Sequence, residues 1–124
     1  NPDDADHWMW LQPVHRHIRA YHGGTLLADT VQALRVLEVG DTVLAPVIYV
    51  PRGSLRYPLQ PSAAASTYCP IKGTARYHDL AGANDRTIAT AIAWSYDDPI
   101  EAAARLAGLI AFRPERVTFV DAPA

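Results

Sequence analysis

Cysteine, lysine and long apolar runs are nearly missing from this sequence, and each shortage excludes something. Cysteine occurs once, at Cys69, so the chain holds neither an internal disulfide nor a multi-cysteine zinc site. Lysine also occurs once, at Lys72, among 11 basic side chains that are otherwise arginine. The apolar runs are short, such as Val47–Val50 and Leu109–Phe112. A helix that crosses a bilayer needs roughly 20 apolar residues, so no membrane partner is expected. An excess of positive charge is missing too: the formal net charge is −2, which leaves no electrostatic footprint for nucleic acid. Phosphate-loop glycines are lacking, because Gly23-Gly24 is followed by neither a lysine nor a helix and no G-x-G-x-x-G occurs. What is present is 124 residues, 49% of them hydrophobic. That suffices for one domain with a real core and argues against disorder. A soluble, cytoplasmic domain is the expectation.

Residues 1–13 read as an N-terminal tail or arm, acidic at first and then aromatic at Trp8 and Trp10. Residues 14–124 read as a single β domain. From Val14 the side chains alternate in polarity through Tyr21, as a half-buried strand does. Gly23-Gly24 is a two-residue hairpin signal, and Thr25–Ala28 returns as a second strand. Val31–Val39 is read as a strand from its length and β-branched content. Gly40-Asp41 is a turn, and Val47–Val50 is a buried strand bracketed by Pro46 and Pro51. One helical turn is expected at residues 51–55 and an irregular connection at 58–66. A loop around Cys69 to Gly73 feeds the next strand, and residues 87–96 form another after a tight turn at 82–85. Asp97-Asp98-Pro99 signals a helix start, so a short helix is expected near residues 100–106, stopped by Gly108. Residues 109–112 and 117–120 complete a mostly β domain of about eight short strands in antiparallel sheets.

Several segments together carry a resemblance. They are HGGTLLADT at 22–30, YVPR at 49–52, CPIKGTARYH at 69–78, AWSYDDP at 93–99 and AGLIAFRPERV at 107–117. With these the chain resembles the domain-of-unknown-function 427 family from about Val14 to Val120. The resemblance implies a compact β-tent fold, as in methionine-R-sulfoxide reductases and the drug-binding domain of cereblon. Many β-tent proteins hold zinc on four cysteines, a site that one cysteine cannot build. The family's activity is unassigned. A nucleotidyltransferase label sometimes attached to it finds little support here. Metal-dependent nucleotidyl transfer needs carboxylates spaced to reach a Mg²⁺ pair, and the adjacent Asp97 and Asp98 suit a helix cap better.

The candidate chemistry lies in the same segments. Cys69 and Lys72 share one loop, where an ammonium near the sulfur would favour the nucleophilic thiolate; the bland alternative is a buried thiol and a surface charge. Trp94 and Tyr96 fall on one strand face and are read as a ligand floor or as core packing. Arg52 ends a strand and suits a carboxylate or phosphate, or a salt bridge with Glu38. His15 and His17 share a face near His22, with His78 elsewhere, but no acid is spaced to complete a metal set. The histidines are read as solvated, and neither metal nor cofactor is expected. The resulting expectation is a small-molecule site lined by Tyr49, Arg52, Tyr77, Trp94, Tyr96 and Glu38 with Cys69 and Lys72. In an enzyme version Cys69 attacks an anionic or carbonyl-containing molecule with help from Lys72. In a second version the site only binds. A third makes the chain an interaction module, with Trp8, Trp10 and Trp94 at a homodimer contact.

Overall fold

Apolar residues alternating along short segments, punctuated by glycine and proline, have one stable outlet: strands that bury alternate side chains in layers. The computed structural model describes residues 8–40 and 44–124 and holds eleven strands. They are β1 (Trp8–Pro13), β2 (Arg16–His22), β3 (Thr25–Thr30), β4 (Leu34–Val39), β5 (Val47–Pro51), β6 (Leu59–Pro61), β7 (Thr67–Cys69), β8 (Gly73–Ala81), β9 (Thr87–Ser95), β10 (Leu109–Phe112) and β11 (Thr118–Pro123). Every pairing is antiparallel. The larger sheet has the order β1-β4-β5-β10-β9-β8-β6, with β7 added alongside β8, and the smaller sheet has the order β11-β2-β3. The β2–β3 hairpin turns at Gly23-Gly24, where Gly23 takes a φ of 57° that suits glycine.

Period-two alternation sends neighbours on the central strands to opposite faces. Val50 of β5 joins Ile110 and Phe112 of β10, with Ile18, Ala20 and Leu27 of the small sheet, in one apolar cluster. Tyr49 and Ala111 join Leu34, Val36, Tyr96 and Leu106 in a second cluster. Both faces of the middle of the large sheet are thus covered. This is why β5 and β10 read as unbroken apolar runs rather than as alternating ones.

Three expectations are corrected. Trp8–Pro13, read as part of a tail or arm, forms β1 and pairs with β4 along its whole length, from Trp8 opposite Val39 to Pro13 opposite Leu34. Residues 1–7, including the acids expected to be solvated, lie outside the described residues, as does Asp41 of the expected turn. The strand count rises above eight through β1 and the three-residue strands β6 and β7, which are too short to show a periodicity. The helix near residues 100–106 is instead a kinked 3-10 segment, Glu101–Leu106, with Ala103 at φ −112° and ψ 20°. Six residues close too few hydrogen bonds to offset helix nucleation. The tighter turn also stacks Ala103 and Leu106, three apart, into the second cluster. Two more 3-10 turns, Arg52–Ser54 and Ala83–Asp85, match the expected turns, and no α-helix occurs among the described residues. None of these helices is long and apolar enough to cross a membrane.

Candidate functional site

One lateral row across the large sheet builds the site. Leu34 lies opposite Tyr49, Tyr49 opposite Ala111, Ala111 opposite Trp94, and Trp94 opposite Tyr77. Residues opposite one another in a sheet share a face. The row is therefore three aromatic rings with one alanine between two of them. Tyr49 and Trp94 stand two strands apart, roughly 9–10 Å at the backbone. Because Ala111 has only a methyl group, the two rings lean over it and meet edge to face, with centroids 6.5 Å apart. The Trp94 Nε1–H donates to the Tyr49 hydroxyl at 3.3 Å.

Above this row lies a cavity of about 260 Å³. Tyr49, Tyr77, Trp94 and Tyr96 wall it, Val36, Leu44, Ala45 and Val47 add an apolar side, and Glu38, Lys72 and Arg113 supply charge. Six of the eight expected site residues therefore converge: Glu38, Tyr49, Lys72, Tyr77, Trp94 and Tyr96. The remaining two, Arg52 and Cys69, are not part of its lining.

Lys72 precedes β8 in a turn closed by its own N–H donating to the Cys69 carbonyl at 3.1 Å. Gly73 then takes a φ of 116°, with the backbone of Pro99 and Ile100 3.3 Å from where a Cβ would stand. The Ile100 N–H donates to the Lys72 carbonyl at 2.9 Å, so the 3-10 segment pins this turn from outside. The Lys72 ammonium points inward, donates to Glu38 Oε1 and lies 5.8 Å from the centre of the Tyr96 ring. Lysine and glutamate side chains are only 11% and 15% exposed, so this pair belongs to the interior. Cys69 is half-buried and packs against the second apolar cluster. The sequence places cysteine and lysine in one loop, but the lysine's charge is directed to Glu38.

Burial dominates the two central tyrosines. It pushes the Tyr49 hydroxyl up to about 12, against the pull of hydrogen bonding with Trp94 and Tyr96. Burial likewise raises Tyr96 well above the ordinary tyrosine range, reinforced by the proximity of Tyr49 and Cys69. Both are neutral phenols at physiological pH and offer hydrogen bonds rather than charge.

Arg52 lies elsewhere, and its expected salt bridge with Glu38 is corrected: it donates to Asp97 Oδ1 at 2.9 Å. The arginine at the cavity is Arg113, which sequence reasoning missed. A bulge in β9 holds it there. Ala91 takes a positive φ of 49°, its N–H donates to Asp79 Oδ1 at 2.8 Å, and its carbonyl accepts from Arg113 Nε at 2.6 Å. The guanidinium then lies 5.6 Å from the centre of the Tyr77 ring. Arg113 lies in the segment AGLIAFRPERV that carries the family resemblance, but no spacing within it points to the cavity; the β9–β10 pairing brings it beside Trp94 and Tyr77.

The histidines separate. His17 bonds Asp29, His22 Nδ1 bonds the Arg116 carbonyl at 3.0 Å, and His78 bonds Ser95 inside the sheet.

A family model described as Domain of unknown function (DUF427) matches residues 10–122. No curated protein matches the chain.

Proposed function

The chain belongs to the DUF427 family, and from that premise we propose that it is a small-molecule-binding domain whose ligand occupies the aromatic cavity between β4, β5, β8 and β9. The observation that carries this reading is the cavity itself, walled by Tyr49, Tyr77, Trp94 and Tyr96 and charged only at Glu38, Lys72 and Arg113. Aromatic walls with a few polar groups that fix orientation are the general composition of ligand sites. A volume of about 260 Å³ is just below the range of drug-sized sites, roughly 300–1,000 Å³, so the ligand is a small metabolite. Lys72 and Glu38 offset one another, and the Arg113 pair with Glu115 is exposed and long at 3.8 Å, so Arg113 is the charge available to an anionic or carbonyl group. The flat body of the ligand lies on Trp94 and its polar end faces Arg113 and the tyrosine hydroxyls. The ligand is not a nucleic acid, given a net charge of −2. A cytoplasmic setting belongs to the same reading, since the one cysteine is a free thiol.

The geometry favours binding without a cysteine nucleophile. Activation of Cys69 requires the Lys72 ammonium at the sulfur, and that ammonium is spent on Glu38 and the Tyr96 face. The pH dependence of Cys69 alkylation is therefore expected to be the same in the native chain and in Lys72→Met. A dependence abolished by Lys72→Met would revive the catalytic pairing.

Binding is tested in a Trp8→Phe, Trp10→Phe background, where Trp94 is the one remaining tryptophan. Titration with small planar carboxylates and carbonyl compounds is expected to change Trp94 emission saturably. Arg113→Ala weakens that binding about tenfold, as loss of a charge-assisted hydrogen bond does, while Cys69→Ser leaves it intact. No saturable change with any probe, or binding indifferent to Arg113→Ala, would remove the proposal.

A further inference from the structure

On the opposite face of β8 and β9 from Trp94 lies a second polar constellation that the aromatic cavity does not use. His78 and Ser95 are both buried. His78 Nε2 and Ser95 Oγ are 2.8 Å apart, and Ser95 Oγ donates to Asp97 Oδ1 at 2.7 Å. Arg52 donates to the same carboxylate oxygen. A serine hydroxyl has one hydrogen. With that hydrogen on Asp97, Ser95 accepts from His78, so the network assigns the ring proton to Nε2 and leaves the Nδ1 lone pair free. Nδ1 has no partner among the described residues. Among the described residues, however, no buried side-chain nitrogen or oxygen lacks one. Nδ1 is therefore reached from outside.

His78 lines a cavity of about 300 Å³ together with Arg76, Tyr77, Asp97, Ser62 and Ser66 among others. Arg76 and His78 are two residues apart on β8, so they stand on one face roughly 7 Å apart at the backbone. Arg76 is exposed and makes no hydrogen bond or ion pair with the described residues. Asp97, by contrast, is already matched by Arg52. The cavity thus presents one unmatched positive charge and, close by, one accessible lone pair on a mostly buried ring. Burial and the Arg52 charge lower the basicity of His78, against the pull of Asp97 and Asp79, which keeps the imidazole neutral and its lone pair available.

We propose that this second cavity binds a small hydroxyl-bearing anion, with its anionic group on Arg76 and its hydroxyl hydrogen donated to Nδ1 of His78. The anionic group is a carboxylate or a phosphate, both of which an arginine fork accepts. The hydroxyl is the specific element. A hydroxyl takes the place of the water that otherwise meets Nδ1, and an analogue without one makes one hydrogen bond fewer.

The test is nitrogen-15 NMR of the histidine side chains in the full chain at neutral pH, titrated separately with lactate, glycerol 3-phosphate and propionate. The free protein is expected to show His78 protonated at Nε2 and bare at Nδ1. Lactate or glycerol 3-phosphate, whichever the anionic pocket prefers, then shifts Nδ1 saturably, and Trp94 emission, read in the Trp8→Phe, Trp10→Phe background, stays constant. Propionate, which has no hydroxyl, binds about fivefold more weakly, the worth of one net hydrogen bond. Arg76→Ala, a change at an exposed position, removes the binding and leaves the tautomer as it was. The opposite tautomer, a Trp94 response without a His78 response, equal binding of propionate and lactate, or no saturation by either hydroxylated anion would each overturn the proposal. Of these results only a Trp94 response bears on the aromatic cavity, and it would support that site while removing this one, so the two stand or fall separately.

Discussion

Lys72 is the residue on which the site turns. Its ammonium lies in the interior and is held by Glu38 and the Tyr96 face. Removing the lysine of a mostly buried ion pair takes away the main compensation for burying the carboxylate, at a cost of about 3 kcal/mol. Lys72→Met is therefore expected to lower the unfolding free energy read from urea denaturation by that amount, and adding Glu38→Gln is expected to restore most of it. A Lys72→Met variant as stable as the parent would show that the pair is not an interior one. Arginine placement follows the same logic of local geometry. Arg52 leaves the end of β5 towards Asp97, and Arg113 is aimed at the cavity by the Ala91 bulge. Both arginines follow a strand and adjoin a proline, Pro51 before Arg52 and Pro114 after Arg113. Their different ends come from strands that are distant in sequence.

Among the elements, β10 is the shortest of the central strands and the one that spaces two of the cavity's aromatic walls. Ala111 separates Tyr49 from Trp94 and has no exposed surface. A larger side chain there must push the two rings apart or enter the cavity. Ala111→Leu is expected to cost about 1–3 kcal/mol, as overpacking does, and to abolish ligand-induced changes in Trp94 emission. Far-ultraviolet circular dichroism is expected to stay unchanged. Retained ligand response in that variant would place the ligand away from the Tyr49–Trp94 row. The segment Glu101–Leu106 works at the same scale: its first backbone contact, from Ile100 to Lys72, ties the turn before β8 to the outer layer.

For the whole molecule the titratable interior defines a window of stability. The sign follows from which state binds more protons. His78 has a lowered folded value, so the unfolded chain takes up protons first, and stability is lost as pH falls below about 6.5. Asp29 is held low by its hydrogen bond to His17, which adds a further loss below about 3.8. Tyr49 and Tyr96 are raised, so the unfolded chain releases protons first, and stability is lost above pH 10. For Tyr49, about 12 against 10.0 amounts to roughly 3 kcal/mol between those limits. Urea midpoints across pH are expected to fall on both flanks. Ultraviolet titration of the 6 tyrosines is expected to show Tyr49 and Tyr96 ionising only with unfolding. All six titrating near pH 10 in the folded chain would contradict this burial.

The sequence by itself determined most of the strand pattern. Alternation, apolar runs and glycine or proline punctuation are local signals, and β2 to β5 and β8 to β10 follow them closely. It also determined most of the aromatic set, because residues two apart on a strand, such as Trp94 and Tyr96, must share a face. The tertiary structure alone decided who meets whom. Strand order is set by the layered burial of whole strands, and it joins Tyr49, Ala111, Trp94 and Tyr77 from four separate segments. The same pairing directs Lys72 to Glu38 rather than to Cys69, brings Arg113 in, and makes β1 an edge strand of what looked like a tail. Such contacts depend on energies summed over distant residues, and no local pattern encodes them.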